Sequence, residues 1–166
     1  VDWTECKSTL EKLALMLPTE AQWEMCCRAG MQSVYWSGNQ LGDLRGAGNF
    51  AEVSGKRLHP WWICTKEIDD GHGIHAPVGS YRPNGFGIHD TSGNVIEWCL
   101  ETNVNYGQPA EGPNGYRPDG DGSSHNLRGG GFQLAPEQVR SAWRFQTPTA
   151  TRDLFIGVRP CRPVLD

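Results

Sequence analysis

The sequence predicts a loop-rich α+β domain, with two helices near the N-terminus and a small antiparallel sheet built from later segments. Three observations carry this. Helical periodicity with helix-end signals is confined to the stretch before Gly30. Strand-like alternation appears only after Gly93. The 166 residues include 21 glycines and 11 prolines without a collagen-like period, yet also seven tryptophans, which call for a core. A chain of this length suits one domain over 1–166.

Thr4 is placed to cap the first helix, in which Cys6, Leu10, Leu13 and Ala14 fall on one stripe at i, i+4, i+7 and i+8. Pro18 ends that segment. In "LPTEAQWEMCCRAG", Thr19 and Gln22 form a capping box, Glu20 and Glu24 suit the helix start, Arg28 suits its end, and Gly30 stops it. Trp23 and Cys27 share a face. Residues 31–93 read mostly as loop, with turns at Ser37-Gly38-Asn39, Gly46-Ala47-Gly48, Asp70-Gly71 and Pro83-Asn84-Gly85. A stretch that long calls for an organiser, and bound cations are one. Residues 94–101 read as a strand, 102–125 as a second loop. "NLRGGGF", "VRSAWRFQ" and "LFIGVRPCR" read as three closing strands, with Val139, Ser141, Trp143 and Phe145 alternating with Arg140, Ala142, Arg144 and Gln146.

The formal net charge is -4, so there is no electrostatic footprint for nucleic acid. No apolar run approaches the ~20 residues of a membrane helix, so no membrane insertion is expected. The six cysteines (Cys6, Cys26, Cys27, Cys64, Cys99 and Cys161) fit no zinc spacing and are expected to be free thiols, although one or two disulfides remain open. The first residue is Val1, and the chain is expected to be part of a longer protein with further domains attached.

Chemistry concentrates in "IHDTSGNVIEWC". Asp90 and Glu97 bracket the turn Ser92-Gly93-Asn94, and Glu97 sits inside an apolar run, where an unpaired carboxylate is costly. Two carboxylates with carbonyls between them suit calcium; pairing with arginines such as Arg128 or Arg144 suits them equally. Asn49 and Asp70, each beside backbone carbonyls, offer a second set of hard oxygens, although Asn and Asp in turns mostly bond their own backbone. His72, His75 and His89 could hold a transition metal, but Gly71 and Gly73 argue for a loop that presents surface histidines. Ser123-Ser124-His125 lacks an orienting acid, and "RGGG" lacks the lysine and the helix of a phosphate loop.

"VDW", "LPTEAQWEMCCRAG", "APVGSYRPNGFGIHDTSGNVIEWC", "LRGGGF", "RSAWR" and "IGVRPCR", in this order, resemble the formylglycine-generating enzyme, or sulfatase-modifying factor, superfamily. The resemblance covers nearly the whole chain and implies a C-type-lectin-like fold. It implies a calcium site formed by the side chains of Asp90 and Glu97 with the carbonyls of Gly93 and Val95. It implies a second calcium site formed by Asn49, the carbonyl of Phe50, Asp70 and the carbonyl of His72. The catalytic branch carries a copper-binding cysteine pair after the R-G-G motif, whereas here 129–160 contains no cysteine. A soft copper site needs those thiolates, so formylglycine synthesis is not expected. The chain also begins at the V-x-W helix, without the strands that usually precede it in the family.

Other branches include kinase-fused modules and the ligand-binding variable proteins of diversity-generating retroelements. The resemblance to the variable proteins implies a recognition face drawn from Phe132, Gln133, Trp143, Phe145, Gln146, Arg152 and Phe155, with a core role as the competing reading of Trp143. The expectation is a calcium-stabilised, non-catalytic module of a bacterial protein, cytoplasmic or surface-exposed, that binds a protein or small-molecule ligand. The alternative is a metal-dependent oxidoreductase of the same superfamily, formylglycine-generating or sulfoxide-synthase-like, with metal or catalytic residues elsewhere or at His72, His75 or His89.

Overall fold

Asp2 opens the first helix, α1, which spans Trp3–Lys12; its Oδ1 accepts from the Glu5 amide at 2.8 Å. Thr4 therefore lies inside the helix and not at its cap. The stripe is shorter than its periodicity suggests: Cys6 and Leu10 are buried, but Leu13 closes the helix and is exposed, and Ala14 takes a left-handed φ of 55°. The second helix, α2, runs over Glu20–Arg28 and starts at the expected capping box. The Thr19 amide donates to Gln22 Oε1 at 2.9 Å, and the Gln22 amide donates to Thr19 Oγ1 at 3.1 Å. Trp23 and Cys27 are both buried.

This computed structural model describes residues 1–102, 107, 109–117 and 120–162. The chain divides into two units: one made of Val1–Trp23, Glu97–Arg128 and Arg144–Asp166, the other of Glu24–Ile96 and Gly129–Trp143.

The first unit holds α1 and most of a four-stranded sheet. The strands are β1 (Ile96–Thr102), β2 (Ser124–Arg128), β3 (Arg144–Pro148) and β4 (Ile156–Gly157), in the order β3-β2-β1-β4. The β1–β2 and β2–β3 pairs are antiparallel, with Glu97 opposite Arg128, Trp98 opposite Leu127, Leu127 opposite Phe145 and Arg128 opposite Arg144. β1 lies inside the sheet, so both of its edges are paired, and its side chains are covered on both faces: Trp98 and Cys99 are fully buried, and so nearly are Glu97 and Glu101. Each expected closing strand is shorter than its pattern. β2 stops at Arg128 because Gly129 and Gly130 take φ of 96° and 72°. Val139 closes a 3-10 turn (Pro136–Val139) in place of opening a strand, with Pro136 in the position where a proline's fixed φ suits a helical turn.

The second unit has little regular structure, and contains a helix that the sequence reading leaves as loop: α3, Val53–Leu58. Buried Glu52 caps it, accepting from the amides of Ser54 (3.0 Å) and Gly55 (3.1 Å). A core of Tyr35, Leu44, Phe50, Ile68 and Val139 fills this unit. Its loops are held by a clamp at the Ser92-Gly93-Asn94 turn. The Asn49 amide donates to Ser92 O at 3.1 Å, the Asn94 amide to Asn49 O at 2.7 Å, and the Gly93 amide to Gly129 O at 2.7 Å. Asn94 adds its side chain: Oδ1 accepts from the Ala76 amide at 3.0 Å, and Nδ2 donates to Ala76 O at 3.2 Å. Backbone crosses backbone so closely here that a Cβ on Gly93 would lie 1.7 Å from Asn49 O.

Gly93→Ala therefore meets both a left-handed φ of 86° and a backbone clash, whereas Gly30→Ala, also at φ 86°, meets open space. Urea melts should show a loss of about 1–2 kcal/mol for Gly30→Ala and a larger one, about 3 kcal/mol or more, for Gly93→Ala. Equal losses would contradict the close-approach role of Gly93.

Candidate functional site

Two buried carboxylates organise the first unit. Glu20, the first residue of α2, is 2 % exposed and gathers three side chains. Its Oε1 accepts from Arg128 Nε and Arg144 Nε, both at 2.8 Å; its Oε2 accepts from Asn126 Nδ2 at 2.9 Å and from Arg144 Nη2. Burial raises the Glu20 pKa, but hydrogen bonding and charge from Arg144 and Arg128 outweigh it, so the carboxyl is held below its ordinary range. Glu97, on β1, accepts from Trp23 Nε1 at 2.6 Å, and Arg159 grips it with Nε at 2.8 Å and Nη2 at 2.7 Å. The arginine partner of Glu97 is thus Arg159, while Arg128 and Arg144 serve Glu20.

A third carboxylate lies close by. Glu101 Oε2 accepts from the Glu20 amide at 2.8 Å, while its Oε1 is buried without a hydrogen-bond partner. Burial, with the negative charge of Glu20 adding to it, pushes the Glu101 carboxyl up to about 7. Neighbouring acids are thereby split into one ionised and one about half protonated near neutrality. Cys99, buried between Trp98 and Leu100 in sequence, has its thiol raised well above its ordinary value by that burial. All six cysteines are free thiols.

In the second unit, Asn49 and Asp70 carry the side-chain oxygens expected to bind a cation. Asn49 is fully buried; its Nδ2 donates to Ile74 O at 2.7 Å and to Asn94 Oδ1 at 3.3 Å, which leaves Oδ1 buried without a partner. Asp70 accepts from the His72 amide at 2.8 Å and from the Tyr81 hydroxyl at 2.6 Å. Its own amide donates to Glu52 Oε2 at 3.2 Å. Burial, then the Asp70 charge, raises the Glu52 carboxyl. The unpartnered amide oxygen of Asn49 and the carboxylate of Asp70 are hard donors of the kind calcium takes. Asn49, Phe50, Asp70 and His72 would hold it; the ion would supply positive charge that fixes the turn.

The other expected cation segment is shared out: Asp90, Gly93 and Val95 belong to the second unit and Glu97 to the first. Asp90, at φ 59°, accepts from the Gly79 amide at 2.6 Å. Glu97 has its oxygens on Trp23 and Arg159, and Asp70 likewise has both of its oxygens accepting hydrogen bonds. Of the histidines, His75 meets the Phe132 ring edge-on at 4.7 Å, His89 Nδ1 lies 2.7 Å from Tyr81 O, and His72 lies 6.4 Å from the Tyr81 ring. Among the described residues no three His, Cys, Asp or Glu side chains converge as a metal-holding group.

The expected recognition residues fall in both units. In the second, Phe132 is buried between His75 and Trp62, and Gln133 and Trp143 are half-buried. In the first, Phe145 and Gln146 are exposed on β3 and Phe155 is half-buried. Arg152 is exposed but engaged, reaching Asp2 at 2.8 Å and Glu5 at 2.9 Å at the start of α1. Phe145 and Gln146, with Asn126 and Arg144, line a cavity of about 280 Å³. Arg144 thus joins the Glu20 network to the wall of a surface cavity, a connection the sequence reading missed.

This fold and its motif-bearing carboxylates define a C-type-lectin-like domain of the sulfatase-modifying-factor superfamily. The chain belongs to the family described as the sulfatase-modifying factor enzyme 1-like domain, whose pattern matches residues 1–164. It is 34% identical over 138 residues to the formylglycine-generating enzyme of Streptomyces coelicolor, an alignment covering 80% of this chain and 40% of that enzyme. The chain thus spans well under half the length of that relative. Among solved structures, it superposes on PvdO from Pseudomonas aeruginosa with a TM-score of 0.78 at 24% identity, covering 96% of this chain and 59% of that one. It superposes on Treponema denticola variable protein 1 with a TM-score of 0.70 at 26% identity, covering 90% of this chain and 48% of that one.

Titration provides a test of the Glu101 environment. Its folded pKa lies above the ordinary value, so the folded chain holds the extra proton and Glu101 costs stability as pH rises from about 4.5 through about 7. Relative to the wild type, Glu101→Gln should gain stability across that window, by about 3 kcal/mol in total, and no further above it. A stability difference that stays constant from pH 4 to pH 9 (about that range) would contradict the assignment.

Proposed function

We propose that this chain is a calcium-stabilised, non-catalytic binding module whose recognition surface lies on β3. The cavity of about 280 Å³ lined by Asn126, Arg144, Phe145 and Gln146 carries the reading. It offers a ligand an aromatic edge, two amides and an arginine held by Glu20, the mixed chemistry of recognition surfaces. Phe145 and Gln146 are exposed on a strand fixed by pairing to β2, so the surface is organised before a ligand arrives. The likeness to a protein named a variable protein supports a face that accepts different side chains on a constant scaffold. The absence of cysteine from 129–160 supports a role other than copper-dependent oxidation. Calcium at Asn49 and Asp70 would secure loops that have little sheet or helix of their own.

The test joins both halves of the proposal. Calcium added to metal-stripped protein should raise Tm by several degrees, magnesium should do so less, and Asp70→Asn should blunt the response. The same protein with copper and a cysteine-containing sulfatase peptide should form no aldehyde above a metal-free blank. Identical melts with and without calcium would overturn the calcium assignment, and aldehyde formation would overturn the non-catalytic one.

A further inference from the structure

The sequence "LHPWWICTK", which follows α3 in the second unit, is absorbed by neither the calcium nor the β3 reading. It is unusually apolar for a surface: Leu58 is 58 % exposed, Trp61 76 % and Ile63 85 %. The loop is held, not loose. Lys56 Nζ donates to Trp62 O at 2.6 Å, the Trp62 amide to His59 O at 3.0 Å, and the Thr65 amide to Ala51 O at 3.1 Å. The Trp62 ring stacks on His59 at 4.2 Å and approaches Phe132 at 5.8 Å. Trp62 thus turns inward as an anchor, and Trp61 and Ile63, its neighbours on either side, are presented outward on a fixed backbone.

Beside this ridge is a cavity of about 220 Å³ lined by Val53, Lys56, Arg57, Cys64, Thr65 and Lys66. Its charged lining is wholly cationic in a chain of net charge -4. Arg57 is paired with Asp69 at 2.8 Å, and Lys56 is committed to Trp62 O, so Lys66 is the cation best placed to answer an arriving charge. Burial raises the Cys64 thiol, which keeps it neutral and part of the apolar lining. The volume is below the ~300 Å³ at which drug-sized ligand pockets begin and suits a single side chain.

We propose that the ridge of Leu58, Trp61 and Ile63 with the adjoining Lys66-rimmed cavity is a docking surface for an acidic peptide segment of another protein. An aliphatic or aromatic side chain of that segment enters the cavity, its flanking carboxylates meet Lys66 and Arg57, and its apolar neighbours cover Trp61 and Ile63. A flat lipid surface would contact the ridge but leave the cavity unfilled, which is why a peptide is the favoured occupant. The surface lies apart in sequence from the β3 residues, so the proposal is independent of the binding role given to them.

The test is a selection from a random twelve-residue phage-displayed peptide library on the calcium-loaded protein. Enriched sequences should combine Asp or Glu with a large apolar residue. Their synthetic peptides should bind Trp61→Ser/Ile63→Ser protein at least about tenfold more weakly than wild type. Lys66→Glu should weaken them several-fold, and added salt should do the same. All three replaced side chains are exposed, so Tm should stay at the wild-type value. Overturning results are no enrichment, enriched peptides lacking acidic residues, or peptides that bind the double variant as well as the wild type. Sedimentation with phosphatidylserine vesicles that depends on Trp61 and Ile63, in the absence of peptide enrichment, would assign the ridge to lipid and equally overturn the proposal.

Discussion

Glu20 is a buried carboxylate held between two guanidiniums, and much of the first unit is arranged to make that burial tolerable. A lone carboxylate 2 % exposed would shed its charge. Here Arg128 from β2, Arg144 from β3 and Asn126 from β2 all reach it. The arrangement does more to specify position than to add net stability, because desolvating three charged groups offsets most of their attraction. Its consequence is geometric. The start of α2, the end of β2 and the start of β3 have one permitted relation, in which Arg128 and Arg144 sit opposite each other across the β2–β3 pair. Arg144 then also lines the β3 cavity, so the scaffold charge and the proposed recognition surface share a residue.

The second unit solves a different problem. It has few backbone ladders, and its long loops are secured by side-chain and backbone bonds concentrated at Asn49, Gly93 and Asn94. Asn94 works there through its left-handed φ of 66° as well as its amide group. The turn quoted from the sequence is therefore a crossing point where main chain meets main chain. The oxygen of Asn49 and the hydroxyl of Ser92 are left buried without partners at that crossing.

Local features were legible in the sequence. The Thr19–Gln22 box is a three-residue relation, and α2 begins where it indicates. The family motifs were legible as strings, and all but "VDW" contribute a member of a buried group: Glu20 with Arg128 and Arg144, Glu97 with Trp23 and Arg159. Which acid meets which arginine was not legible. Glu97 and Arg159 are 62 residues apart, and with 15 Lys and Arg facing 19 Asp and Glu, charge alone selects no partner. The helix α3 was missed because Ser54 and Gly55 are weak helix formers and its cap is a glutamate, outside the preferred capping set. Trp61 and Trp62 show a further limit: adjacent and chemically identical, one is 76 % exposed and the other is stacked inward, a choice made by His59 and Phe132.

If the Glu20 network is the constraint on which the first unit depends, its members must act as one. The direct measurement is a double-mutant cycle in urea with Glu20→Gln, Arg128→Met and the combined variant. Glu20→Gln leaves buried Arg128 without its counterpart and should cost about 3–5 kcal/mol, while Arg128→Met leaves Glu20 still held by Arg144 and should cost less. The pair should cost much less than the sum, with a coupling of about 1.5–3 kcal/mol. Losses that add to within about 0.5 kcal/mol would show that Glu20 and Arg128 are held in place independently, and would contradict the account.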